Sequence, residues 1–286
     1  MRVEGRAPSR DAVNDLLAEA DRVRKDKARS HAAMMKARTR LPKAVRTSLE
    51  TAVAAAGVKT KVLAEGDSWF DLPWILKPKD AMDFLDETHD LENVAKWRDT
   101  LENMLRQKQY VQELKAGTFG FFFFSGGGND VLDSIARYVT PRKPGDTNPD
   151  NAPGYVNADY RDKLVSILKK YRTLIDDVRA IPAAADVTTF IHGYANAIPL
   201  KGKESLGGPL EQLGFDPVTV GPLARAIVAH MVGLFIDGLR DLAARHSKVV
   251  YIDLRKVVRD TDWHTDEIHP SAAGAKRIAA EFARRI

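Results

Sequence analysis

Lys61-Val62-Leu63-Ala64-Glu65-Gly66-Asp67-Ser68-Trp69-Phe70 is a short apolar strand that runs straight into a Gly-Asp-Ser turn. Its reading decides the fold. The strand portion, 61–65, is apolar with little alternation, the pattern of a strand buried on both faces of a parallel sheet. Phe119 to Phe124 repeats it, and Thr88–Ala95, Val187–His192 and Lys248–Asp253 are further strand candidates. Helical periodicity runs between them, clearest at Leu164, Ile167, Leu168, Tyr171, Leu174, Ile175 and Val178, and again from Ala224 to Leu242. Strands alternating with helices predict a three-layer α/β/α sandwich with a mainly parallel five-stranded sheet.

In such a sheet ligands collect at the carboxyl ends of the strands. The candidate residues fall at those ends: Ser68 after the first strand, Arg98 after the second, Asn129 after the third, His192 and Tyr194 after the fourth, and His269 beyond the fifth. A serine hydroxyl is a weak nucleophile at neutral pH. It needs a base within hydrogen-bond reach, and the base needs a partner that holds its tautomer. Asp266 and His269, three residues apart, can lie on one side of a turn so that the carboxylate accepts from Nδ1–H. Ser125-Gly126-Gly127-Gly128-Asn129-Asp130 offers glycine amides and an Asn side-chain amide for an oxyanion near Ser68.

These blocks, in this order, resemble those of the SGNH hydrolases, also called GDSL-type esterases and lipases. The resemblance covers roughly residues 60–286. Gly66-Asp67-Ser68 stands for the nucleophile block, with Trp69 where leucine is usual; Gly127-Gly128-Asn129-Asp130 and Asp266-x-x-His269 match two others. The remaining block is altered: Asn93-Val94-Ala95-Lys96-Trp97-Arg98-Asp99-Thr100-Leu101 carries Arg98 where the family has a glycine whose amide serves the oxyanion hole. Arg98 is either an extra anion contact or the mark of an incomplete oxyanion hole. The resemblance implies a Ser68–His269–Asp266 triad, an oxyanion hole from Ser68, Gly127, Asn129 and Arg98, and no cofactor or metal.

Other readings of the same residues exist. Gly-Asp-Ser is a common turn, and three glycines make a flexible loop. Gly126 to Gly128 are followed by no Gly-Lys-Ser/Thr, so they are not a phosphate loop of that kind. His264, Asp266 and His269 suit a metal by residue type, but such a cluster leaves Ser68 and Asn129 without a role. Phe70 replaces the second glycine of a Gly-x-Ser-x-Gly elbow, which argues against an ordinary α/β-hydrolase.

Composition sets outer limits. The chain has 286 residues, 44% of them hydrophobic, enough for one sizeable core plus an extension. It has no cysteine, which excludes disulfides, thiolate metal sites and a cysteine nucleophile. The first 60 residues carry 14 Lys plus Arg against 7 Asp plus Glu, whereas the whole chain is net +5. Residues 1–58 therefore read as a basic helical extension, with Val13, Leu16, Leu17, Ala20 and Val23 at helical spacing, preceding a catalytic domain at 59–286. A solvated helical face explains the charge most simply; an anionic surface or an acidic protein partner is the functional reading. Nucleic acid is not expected, because no nucleic-acid motif or aromatic platform accompanies the charge. Met1–Asp11 lacks the apolar region of a signal peptide and no uncharged run approaches membrane-spanning length, so a cytoplasmic location is the expectation.

Two Pro- and Gly-rich insertions, 138–158 and 195–222, are expected to act as lids or pocket walls. Trp69, His192, Tyr194, Trp263 and His264 are the expected substrate-pocket residues, with Phe70 and Trp74 as further aromatic candidates. The expected function is hydrolysis of a small-molecule, lipid or sugar ester through an acyl-enzyme. The alternatives are an acyltransferase on the same fold and a non-catalytic binding module with a degenerate oxyanion hole.

Overall fold

A computed structural model describes residues 61–73, 79–132, 135–264 and 266–286. The basic extension predicted at 1–58, and Trp74, lie outside the described residues. Five strands form one sheet among those residues: β1 (Val62–Glu65), β2 (Leu91–Asn93), β3 (Phe121–Phe124), β4 (Thr188–His192) and β5 (Val249–Ile252), in the order β2-β1-β3-β4-β5 and parallel throughout. The chain thus starts near the centre and steps outward in both directions. That reversal opens a crevice at the carboxyl ends of β1 and β3.

Burial follows from the pleat. Phe122 and Phe124 face one layer and Phe123 the other, and all three are 0% exposed. The first layer consists of α2 (Leu101–Gln107), α3 (Gln109–Ala116), α6 (Ala158–Arg179) and α8 (Gly221–Ala244). The second consists of α1 (Ala81–Asp86) and α9 (Ala272–Ala283), which pack Met82, Leu85, Ile278 and Phe282 beneath Val62, Ala64 and Phe123. Truncating a phenylalanine enclosed like Phe123 costs about 3–5 kcal/mol.

The helical periodicity read from Leu164 to Val178 is the buried stripe of α6, which Asn157 caps by accepting the Tyr160 N–H at 3.3 Å. The predicted second strand shrinks to Leu91–Asn93, since Thr88 N–H is taken by the Leu85 carbonyl closing α1. α8 is interrupted by Arg225, Asp237, Arg240 and Asp241 and so contains no uncharged run of membrane-spanning length. Its 24 residues are long and apolar enough to cross a membrane by length and composition. Here Leu223, Ile227, Met231, Phe235 and Leu239 turn it into the core, as an amphipathic core helix does.

The insertions divide their work. Residues 138–158 hold a 3-10 turn, Pro149–Tyr155, and a Val139–Val156 bridge. They buttress the second insertion: Tyr155 meets Phe215 edge-on at 4.9 Å, and Arg142 N–H donates to the Leu213 carbonyl at 2.8 Å. No residue of this segment borders the spaces beside Ser68; its buried residues, Tyr138, Val139, Ala152, Tyr155 and Val156, pack into the core, and most of the others are exposed. The second insertion, which contains α7 (Gly207–Gln212), does supply walls through Ala195, Ala197 and Leu206. Two short helices, α4 (Gly128–Leu132) and α5 (Ile135–Tyr138), complete the first layer's rim.

Candidate active site

Three loops converge on Ser68 because the ladder of the sheet continues past its strands. Lys96 N–H donates to the Gly66 carbonyl at 2.9 Å, and Ser125 N–H to the Glu65 carbonyl at 3.1 Å. These bonds draw the loops after β2 and β3 to either side of the Gly-Asp-Ser turn. Gly66 permits the approach: a Cβ there would stand 2.8 Å from both Cβ and the carbonyl oxygen of Ser125.

Ser68 Oγ lies 2.8 Å from His269 Nε2, and His269 Nδ1 lies 2.7 Å from Asp266 Oδ2. Asp266 Oδ1 also accepts the His269 N–H at 3.1 Å, which fixes the turn that presents the ring. Pro270 and the cap residue Ser271 of α9 follow at once, so the imidazole is held at a helix entry. Burial pushes the Asp266 carboxyl up, but the bonds from His269 and the His264 imidazole outweigh it and hold its pKa at about 2. Asp266 is therefore a carboxylate at any working pH, as an orienter of His269 must be.

Possible oxyanion donors surround Ser68. Among the described residues the Ser68 and Arg98 N–H groups have no intramolecular hydrogen-bond partner. Asn129 Nδ2 donates to the Asp99 carbonyl at 2.9 Å, which leaves its second hydrogen for another acceptor. Gly127 sits at φ +94°, a conformation unsuited to other residues, and the following Gly128 N–H donates to the Tyr194 hydroxyl. Arg98 adopts φ +60°, the left-handed region that a glycine occupies freely.

Ser68, His269 and Asn129 border two spaces of opposite character. On one side is an apolar slot, a cavity of about 70 Å³ walled by Val131, Ile135, Tyr160, Leu206, Val228, Met231, Val232, Phe235 and Ile268. On the other is a polar groove bordered by Trp97, Arg98, Glu204, Ser205 and Asp266.

Of the five expected pocket residues, Trp69 and Tyr194 line the slot. His192, Trp263 and His264 do not, and each has a physical reason. His192 is 1% exposed, stacked against Trp69 at 6.0 Å between centroids, and burial lowers its pKa to about 4. It is a neutral packing group. Trp263 packs edge-on against Trp69 from behind at 6.2 Å. His264 stands 3.6 Å from Asp266 Oδ2, the oxygen that also faces His269 Nδ1.

Two important carboxylates escaped the sequence reading. Asp67, 1% exposed, accepts from Ser125 Oγ and Trp69 N–H at 3.0 and 3.1 Å and from the Tyr194 hydroxyl, which itself accepts the Gly128 N–H at 2.9 Å. Burial raises its pKa against those bonds. Glu267, also 1% exposed and at φ +77°, accepts the N–H groups of Leu200, Leu206 and Gly207. Asp67 lies within the Gly-Asp-Ser block and Glu267 beside Asp266, but neither position in the sequence reveals these partners. Most slot residues were hidden too, since the faces of α6 and α8 that line it carry the same periodicity as core.

No protein-family model matches the chain, and no curated protein matches it in sequence. Solved structures do match in shape. Phospholipase A1 from Streptomyces albidoflavus NA297 aligns with a TM-score of 0.53 at 15% identity, covering 80% of this chain and all 100% of that one. A protein of Streptococcus pneumonia assigned as a platelet activating factor aligns at 0.52 and 12%, covering 90% and 98%. A GDSL-like lipase of Bacteroides thetaiotaomicron aligns at 0.44 and 11%, covering 84% and 95%. The chain has the SGNH-hydrolase fold, and its neighbours include lipases, acylhydrolases and esterases.

Proposed function

We propose that the protein is a serine ester hydrolase acting through an acyl-enzyme. The observation that carries this reading is the unbroken chain from Ser68 Oγ through His269 to Asp266, at 2.8 and 2.7 Å, at the carboxyl ends of a parallel sheet. His269 Nε2 takes the Ser68 proton as Oγ attacks the ester carbonyl, while Nδ1–H stays with Asp266. The oxyanion is met by the Ser68 N–H, the Asn129 side chain, and the backbone amides of Gly127 and Arg98. His269 then protonates the leaving alcohol, and water repeats the sequence to release the acid.

The slot supports an apolar acyl group, since its walls offer aliphatic and aromatic surface with no charged group except at the Ser68 end. The ester chemistry accords with the phospholipase A1 that shares the fold. The degenerate-hole alternative is disfavoured, because Arg98 has a left-handed backbone and an N–H with no partner among the described residues, so its amide is open to an oxyanion. Hydrolysis of p-nitrophenyl esters over a range of acyl lengths tests the reading. Ser68→Ala should abolish it, and Asn129→Ala should lower kcat on the order of 100- to 1000-fold. A normal rate in Ser68→Ala would overturn it. Product analysis with an added alcohol separates hydrolysis from acyl transfer.

A further inference from the structure

We infer that the natural substrate carries an anionic group on its alcohol part, held by Arg98. The inference rests on the ester-hydrolase reading and extends it to the half of the substrate that leaves.

The two spaces beside Ser68 assign the two halves of an ester. A carbonyl carbon poised at Ser68 Oγ with its acyl chain in the apolar slot must direct its alkoxy group away from that slot. The space there is the polar groove, which shares Ser68, Asn129 and His269 with the slot. Arg98 is on the groove's border and exposed.

Three features of Arg98 point to an anion. Its backbone sits at φ +60°, a conformation that disfavours any side chain. Strain of this kind persists where the surroundings hold the residue, and it gathers at sites that use it. Its guanidinium has no carboxylate within ion-pair distance among the described residues; its recorded neighbour is the Trp97 ring, at 5.8 Å. Of the groove's acidic groups, Asp266 is bound to His269, and Glu204, exposed on the same groove, makes no ion pair with Arg98. A guanidinium fork with no carboxylate partner among the described residues, next to the leaving-group space, suits a carboxylate or phosphate, which it can grip with two parallel N–H bonds. Nothing in the chemical step changes that charge. The ester C–O bond breaks, the alcohol oxygen takes the proton carried by His269, and the anion leaves with the alcohol.

The test compares three octanoate esters with the same acyl chain: those of 4-hydroxybenzamide, 4-hydroxybenzoate and 4-hydroxyphenyl phosphate. The quantity read is kcat/KM of each anionic ester divided by that of the neutral one, in the full-length protein and in Arg98→Gln and Arg98→Lys. Taking the ratio within each variant cancels folding yield and the intrinsic reactivity of the leaving groups. Arg98→Gln should lower the ratio about tenfold, the size of one lost charge-assisted hydrogen bond. Arg98→Lys should lower it less, and about 0.5 M salt should move the wild-type ratio toward the Arg98→Gln value. The carboxylate and phosphate arms show which anion is gripped. An unchanged ratio in Arg98→Gln, with all three esters still hydrolysed, overturns the inference and leaves the esterase reading standing. Absence of hydrolysis of all three esters by the wild type removes the esterase reading, and the inference with it.

Discussion

The Glu267 carboxylate accepts the Leu206 N–H at 2.9 Å, so the loop that carries Asp266 and His269 is tied to a wall of the apolar slot. The same carboxylate takes the Gly207 N–H at 2.8 Å and that of Leu200. Glu267→Ala would leave the N–H groups of Leu200 and of buried Leu206 and Gly207 without this acceptor. The unfolding free energy should drop by about 2–4 kcal/mol in urea titrations. Esters with long acyl chains should lose more kcat/KM than short ones, because Leu206 borders the slot. Equal loss across chain lengths would mean that Glu267 serves stability alone.

Tyr194 links the floor of the site to the nucleophile turn. Its hydroxyl donates to Asp67 and accepts from Gly128 N–H. Tyr194→Phe keeps the ring against Trp69 but removes both bonds and leaves buried Asp67 a donor short. A loss of about 1–3 kcal/mol in stability is expected, measured by denaturant midpoint at constant slope.

Arg98 at φ +60° predicts a gain from glycine. Relief of the left-handed strain exceeds the added chain entropy of the unfolded state, so Arg98→Gly should raise stability by up to about 1 kcal/mol. A destabilised Arg98→Gly would show that the side chain contributes packing that outweighs its backbone strain.

Glu65 predicts a pH dependence. Burial, with the neighbouring Asp99 carboxylate, pushes its pKa from 4.5 to about 8. The folded state therefore binds this proton more tightly than the unfolded chain, and stability from this group is present in full below about pH 4.5. It declines as pH rises through 4.5 to 8, with a slope approaching about 1.4 kcal/mol per pH unit in mid-window. Glu65→Gln, which cannot ionise, should flatten that slope. An unchanged slope between pH 5 and 8 would assign it to other groups.

The sheet was legible because its middle strands are buried on both faces, and Phe121 to Phe124 leaves no other reading. The contacts from Ser68 to His269 to Asp266 were legible because a turn and a strand end fix where those residues fall. His192 and Trp263 misled because position at a strand end does not say which way a side chain turns; both turn into the core behind Trp69. The roles of Glu267 and Asp67 were not legible because they satisfy backbone and side-chain groups far away in sequence, from Leu206 to Tyr194. The slot was hidden for a related reason. Its lining from α8 obeys the same period as the core, and only the absence of a packing partner distinguishes the two.

The central claim is that Ser68 is an activated nucleophile, and a fluorophosphonate tests it without choosing a substrate. The intact protein should gain the mass of one phosphonyl group, peptide mapping should locate it on Ser68, and Ser68→Ala should gain none. A folded protein that takes up no label, or takes it up on another residue, would contradict the account.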